Sequence, residues 1–293
     1  MIGCSLSSSR RRAPDTAPSV HSYPVAILAA LLVAHGAHAA PSPGAASGGE
    51  RCPNLRPLGR LDAPLPHTAE RLRRGGVLQV VALGSSSTAG VGATAPANAY
   101  PNELQLELAA HFGHSSIRVL NRGVPGDTYR QMLDRLDRDV LAFHPDLVIW
   151  QVGTNAVINE NGVAKDGPPI RKGVERLKAA GADVILMNPQ YSPLLLHDPD
   201  CPVMLDLIDE IGRDEHVPVF HRFAVMHEWL VSGTTTFATI LAPDGLHMND
   251  LSHRCIGDLL ADAIAEVADH DSEAAGSEHA PHLVPPLRRG TWR

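Results

Sequence analysis

A histidine three residues after an aspartate, as in Asp244-Gly245-Leu246-His247, can assemble a general base within one turn of chain. An imidazole takes a proton from a hydroxyl only when its other ring nitrogen is fixed as the donor, and a nearby carboxylate does that. Taken alone, the pair also fits a solvated Asp-Gly turn beside a surface histidine, and 16 histidines make a chance match easy. A hydroxyl for such a base stands far upstream, in Gly84-Ser85-Ser86-Ser87-Thr88-Ala89-Gly90. A small-residue turn there lifts a side chain into a crevice and exposes backbone N–H groups around it. Those donors suit a serine nucleophile or a bound phosphate. Register from Gly84 favours Ser86, with Ser85 and Ser87 as alternatives.

Acyl transfer also needs donors aimed at the carbonyl oxygen where negative charge develops. Two segments supply candidates: Asn121-Arg122-Gly123-Val124-Pro125-Gly126-Asp127-Thr128 and Gln151-Val152-Gly153-Thr154-Asn155. A glycine N–H approaches a ligand closely because no side chain intervenes, and an asparagine amide adds a neutral donor. Singly, Gly126 equally fits a plain turn and Asn155 a helix cap.

In order along the chain, Gly-x-Ser, a loop glycine, Gly-x-Asn and Asp-x-x-His together resemble the SGNH (GDSL-type) hydrolases, over roughly residues 77–268. The resemblance implies a flavodoxin-like three-layer α/β/α sandwich and a cofactor- and metal-free esterase. It makes Ser86, Asp244 and His247 the catalytic set and Ser86, Gly126 and Asn155 the oxyanion hole. Two positions depart from the family pattern. Ser85 stands where an aspartate is usual, and Ala156 where an aspartate is frequent. Both weaken any transfer of substrate from better-known members.

The elements that must position these residues show as short apolar runs at 77–83, 117–120, 147–152, 184–187 and 217–220. Between them lie stretches with apolar residues three and four apart, such as Leu104, Leu108 and Phe112, or Met132, Leu136 and Val140. A last amphipathic helix carries Leu251, Cys255, Leu259 and Ile264. This alternation predicts an α/β fold with a central five-stranded parallel sheet covered on both faces. Right-handed crossovers then bring every candidate segment to the sheet's C-terminal edge.

The chain has 293 residues, 44% hydrophobic and 19% charged, enough for one sizeable core. Its net charge of -7 lacks the basic footprint that nucleic-acid binding requires. Residues 1–39 have the order of a secretory signal peptide: Arg10, Arg11 and Arg12, an apolar run at 25–34 too short for a stable membrane span, then Ala37-His38-Ala39. A secreted or periplasmic location is expected. Residues 40–75, rich in Pro, Gly and Arg, read as an extended leader, 76–268 as the hydrolase domain and 269–293 as a disordered tail. An oxidising compartment would permit one disulfide among Cys52, Cys201 and Cys255, and the spacing selects no pair.

The expected substrate is a small-molecule, polysaccharide or lipid ester, with carbohydrate O-acetyl esters favoured by the predicted export. Lipid or aryl esters are the alternative, and residues 191–196 could line an acyl channel or simply cover the core. A non-catalytic phosphate or glycan binder leaves Asn155 and the Asp244/His247 pair without a role. The cluster His197, Asp198, Asp200 and Cys201 fits a polar loop around Pro199 better than tetrahedral metal ligation. No feature of the sequence specifies an oligomeric state.

Overall fold

The computed structural model describes residue 52 and residues 56–113, 116–159 and 162–278. Five strands form one parallel sheet: β1 (Val77–Gly84), β2 (Ser116–Gly123), β3 (Leu147–Gln151), β4 (Asp183–Met187) and β5 (Val219–Phe220), in the order β2-β1-β3-β4-β5. The register pairs Gly84 with Gly123 and Leu83 with Trp150, so β1, β2 and β3 end level at one edge.

Side chains alternate across each strand, and the alternation divides the core in two. Leu78, Val80 and Ala82 of β1 join Ile149, Ile185 and Phe220 on one face. There they meet Leu104 and Leu108 of helix Tyr100–His111 and Ile256, Leu260 and Ile264 of helix Asp250–Glu278. Val81 and Leu83 join Val148, Trp150 and Leu186 on the other. That face is covered by Ile170, Val174 and Leu177 of helix Gly167–Ala179 and by Ile208 and Ile211 of helix Asp200–Glu215. Both sheet faces are buried, which is why the strands read as unbroken apolar runs. The architecture is a three-layer α/β/α sandwich.

Four boundaries differ from the sequence expectation. The segment at 217–220 pairs only over Val219 and Phe220, because Pro218 has no N–H and contributes just its carbonyl, which accepts from the Leu186 N–H (3.0 Å). The stretch through Met132, Leu136 and Val140 is broken at Arg135 into helices Tyr129–Asp134 and Leu136–Asp139. The described part of the leader is not extended: it holds helices Arg56–Gly59 and Pro66–Arg74. Leu65, Ala69 and Leu72 are buried in the first core, at helical spacing. The Thr68 N–H donates to Asp183 Oδ2 (2.7 Å) and Arg71 Nε to Asp146 Oδ1 (2.8 Å), which fasten that helix below the sheet. The last helix also passes residue 268 and runs to Glu278. The segment 1–39 and residues 279–293 lie outside the described residues.

Candidate active site

β1 ends at Gly84, and the chain turns at Ser85 into the short helix Ser86–Ala89. Ser86 is its first residue, so its N–H has no intrahelical acceptor. Of the three adjacent serines, Ser86 meets the histidine: Ser86 Oγ lies 2.8 Å from His247 Nε2. Ser85 turns into the protein and donates through its N–H and Oγ to Gln151 Oε1 (2.9 and 3.1 Å). Ser87 is fully buried.

His247 Nδ1 lies 2.6 Å from Asp244 Oδ2. A carboxylate only accepts, so Nδ1 carries the proton and Nε2 is left to accept from the Ser86 hydroxyl. Asp244 is itself oriented by the chain it serves, since its Oδ1 accepts the N–H groups of Leu246 (3.0 Å) and His247 (2.9 Å). Partial burial pushes its carboxyl upward, but the hydrogen bonds from the His247 ring and these two amides outweigh it and hold it below the usual range. Gly92 stands against this loop. A Cβ there would come within 2.3 Å of Met248 O and 2.9 Å of His247 Cβ, and its φ of +94° is one L side chains rarely adopt.

Gly126 also has positive φ (+86°), which turns the loop after β2. Among the described residues no hydrogen bond engages its N–H. Asn155, on helix Thr154–Asn159, donates one Nδ2 hydrogen to Asp127 O (2.9 Å) and keeps the second for another acceptor. Arg135 holds this corner: Nε donates to Asp127 Oδ2 (2.7 Å), Nη1 to Asp139 Oδ2 (3.3 Å) and Nη2 to Gly84 O (3.0 Å). The break that ends helix Tyr129–Asp134 thus falls on the residue that joins the end of β1 to the loop that carries Gly126 and Asp127.

Ser86, His247 and Asp244 are brought into one hydrogen-bonded line, and the Asn155 amide is tied to the loop that carries Gly126. Arg135 was missed by the sequence reading. Its partners beyond the adjacent turn, Asp127 and Gly84, lie in other segments, and the apolar spacing of Met132, Leu136 and Val140 runs past it unbroken, so nothing in the sequence flagged it. The departures from the family pattern have local reasons. Ser85 satisfies Gln151, and Ala156 is buried in the second core, where a carboxylate would be desolvated.

Residues 197–201 are spread over separate tasks. His197 Nδ1 faces Pro193 O (2.5 Å), Asp198 Oδ1 accepts the Asp200 N–H (2.9 Å) and Asp200 Oδ2 the Gly162 N–H (2.7 Å). Cys201 is in the core, where burial and then Asp198 push its thiol up to about 11. Among the described residues no three His, Cys, Asp or Glu side chains gather as metal ligands, and no helix is long and apolar enough to cross a membrane. In residues 191–196, Leu195 enters the core while Leu194 and Leu196 are exposed. A cleft of about 710 Å³ opens beside the loop that carries Asp244 and His247, with Gly92, Thr94, Phe237, Pro243 and Gly245 in its walls.

An acetylxylan esterase of Geobacillus stearothermophilus is 32% identical over 116 residues, 36% of this chain and 51% of the relative. The chain therefore spans about half the length of that curated relative. Among solved structures, a two-domain esterase active on acetylated mannans superposes with a TM-score of 0.60 at 22% identity, covering 80% of this chain and 61% of its own. A lipase/acylhydrolase from Enterococcus faecalis gives 0.55 at 24%, covering 66% and 96%. At such identities these two likenesses establish the sandwich alone. The profile of the non-GDSL lipase-like family matches residues 51–270, most of the chain and nearly all its described part. Its description agrees with Gly84-Ser85-Ser86 standing where a Gly-Asp-Ser would be, and the chain belongs to that family.

Proposed function

We propose that this protein is an exported serine esterase that removes short acyl groups, acetyl above all, from carbohydrate esters. The observation that carries the reading is the unbroken hydrogen-bonded line from Ser86 Oγ through His247 to Asp244. His247 Nε2 takes the Ser86 proton as Oγ attacks the ester carbonyl carbon. The resulting oxyanion is met by the N–H groups of Ser86 and Gly126 and by the second Nδ2 hydrogen of Asn155. As the tetrahedral species collapses, the C–O bond to the alcohol breaks and the proton on Nε2 passes to the departing oxygen. Water then gives its proton to His247, attacks the acyl-enzyme and releases the acid, and the proton returns to Ser86 Oγ.

Two observations support the substrate class. Two of the three proteins named above are esterases of acetylated xylan and acetylated mannans by description. Residues 191–196 send Leu195 into the core and leave Leu194 and Leu196 exposed, so they enclose no channel for a long acyl chain. Export is supported by the disulfide between Cys52 and Cys255, a bond that persists in oxidising compartments.

Ser86→Ala is expected to abolish hydrolysis of p-nitrophenyl acetate and labelling by a fluorophosphonate, with the circular-dichroism spectrum unchanged. Full activity in that variant would refute the nucleophile. Rates on p-nitrophenyl acetate and decanoate compared side by side test the acyl preference, and a faster decanoate would refute it.

A further inference from the structure

We infer that Gln190 is a positioning residue for the catalytic histidine: its buried side-chain amide, clamped by the guanidinium of Arg222, holds the backbone at Leu246 and so fixes where His247 stands opposite Ser86. The inference rests on the serine-esterase reading.

Gln190 follows β4 at the sheet edge that carries the site, and both Gln190 and Arg222 are completely buried. Arg222 Nη2 donates to Gln190 Oε1 (3.0 Å) and Arg222 Nε to Asn188 O (3.1 Å). The Thr154 hydroxyl donates to the same Oε1 (3.0 Å), and the Ser87 hydroxyl lies at 3.5 Å from it. On the other side, Gln190 Nε2 donates to Leu246 O (3.3 Å). One amide therefore touches the neighbour of the nucleophile, the neighbour of Asn155 and the neighbour of His247.

The chemistry of the partners allows one orientation. A guanidinium only donates, so the atom facing Arg222 must be the amide oxygen; a backbone carbonyl only accepts, so the atom facing Leu246 must be the nitrogen. Among the described residues no carboxylate pairs with Arg222. Burial draws its pKa down to about 10, opposed by Tyr100, and it remains a cation at neutral pH. Two neutral oxygens, Gln190 Oε1 and Asn188 O, bear that charge. A glutamate at 190 would satisfy Arg222 better, yet an ionised carboxylate has no hydrogen for Leu246 O. The amide suits a residue that must serve the cation and the histidine loop together.

That asymmetry separates positioning from packing. In the full chain, Gln190→Glu is expected to fold with a Tm at or above wild type, because Arg222 gains a counter-charge. Its kcat on p-nitrophenyl acetate should nevertheless fall roughly 10- to 100-fold, the scale set by a misplaced catalytic group. KM should change little, and the acid limb of the pH–rate profile should move. Wild-type kcat and pH profile in Gln190→Glu would overturn the inference. If that variant does not fold, Arg222→Met and Arg222→Lys probe the clamp from its other side. Loss of the exclusive donor frees the amide to invert and lowers kcat, whereas lysine keeps a donor and restores it; equal kcat in the two would overturn the inference. If the wild-type chain neither hydrolyses the ester nor takes the fluorophosphonate, the esterase reading fails. The positioning role is then judged by the His247 Nδ1–H proton resonance, which broadens in Gln190→Glu if Gln190 holds the loop and is unchanged if it does not.

Discussion

Asp244 and Asn155 each use one atom to be held and have another placed for the proposed reaction, and this division sets what their substitution should do. Asp244 Oδ1 accepts two backbone N–H groups while Oδ2 orients the ring. In Asp244→Asn, Oδ1 can keep the backbone bonds while an NH2 faces Nδ1, which forces the proton to Nε2, the wrong tautomer for a base. A fall in kcat of roughly 10⁴-fold with the fold intact is expected, as for the same exchange in a serine-protease triad. Because the Asp244 carboxyl is held below its ordinary range, it stays ionised as pH falls until that lowered pKa is reached. It therefore adds stability above its unfolded pKa, lost as pH falls through the lowered folded value, and should impose no limb on a pH–rate profile between pH 5 and 9; paired thermal melts in which the margin of wild type over Asp244→Asn fell away between pH 7 and 5 would contradict this. Asn155→Ala removes one of the proposed oxyanion donors and should lower kcat on the order of 100- to 1000-fold with KM little altered. The Asp244/His247 pair was legible in the sequence because it is built within three residues. Gln190 and Arg222 were not, since they are 32 residues apart and of types that occupy surfaces everywhere.

Loops at the C-terminal edge turn those side chains toward one another, and glycine lets two of them come close. Gly92→Ala would push a methyl group at Met248 O and His247 Cβ in a backbone conformation that costs about 1–3 kcal/mol for a non-glycine residue. A lowered Tm and a lowered kcat are expected together, with the KM for p-nitrophenyl acetate nearly unchanged. A variant that lost only stability would mean that the loop around His247 absorbs the strain. The strands themselves were easy to read, because β1, β3 and β4 are buried on both faces and show as uninterrupted apolar runs. Helix Pro66–Arg74 was obscured by its setting. Its buried positions, Thr68, Ala69 and Leu72, together with Leu65 before it, lie among prolines and arginines whose composition suggests a linker. The spacing of Leu65, Ala69 and Leu72 was nonetheless helical, and periodicity was the better guide than composition.

At the scale of the whole molecule, the two ends of the described chain close over the same core. Cys52 is bonded to Cys255 across 203 residues, and Leu65 and Leu72 pack in the cluster that holds Leu259 and Ile264. Reduction should therefore cost roughly 2–5 kcal/mol, the usual range for a native disulfide. Asp258 lies one turn beyond Cys255, with Oδ2 3.3 Å from Cys52 Sγ. Burial first, then Glu107, Glu103 and Asp262, raise its pKa to about 6, against the pull of Arg254. A raised carboxyl pKa means that the folded state holds the proton that the unfolded chain releases near pH 4. Folding is then unpenalised below that value, and stability declines as pH rises toward about 6, above which the penalty is complete. Asp258→Asn keeps the shape and removes the charge. Its Tm should exceed wild type by roughly 2–4 °C at pH 7.5, the shift a change near 1 kcal/mol gives a domain of this size. The advantage should shrink through pH 6 and disappear by about pH 4, when both chains are neutral at this site. Paired thermal melts from pH 4 to 8 with the disulfide intact read this directly. A gap of constant size would assign the gain to packing and exclude a titrating carboxylate beside the disulfide as its source.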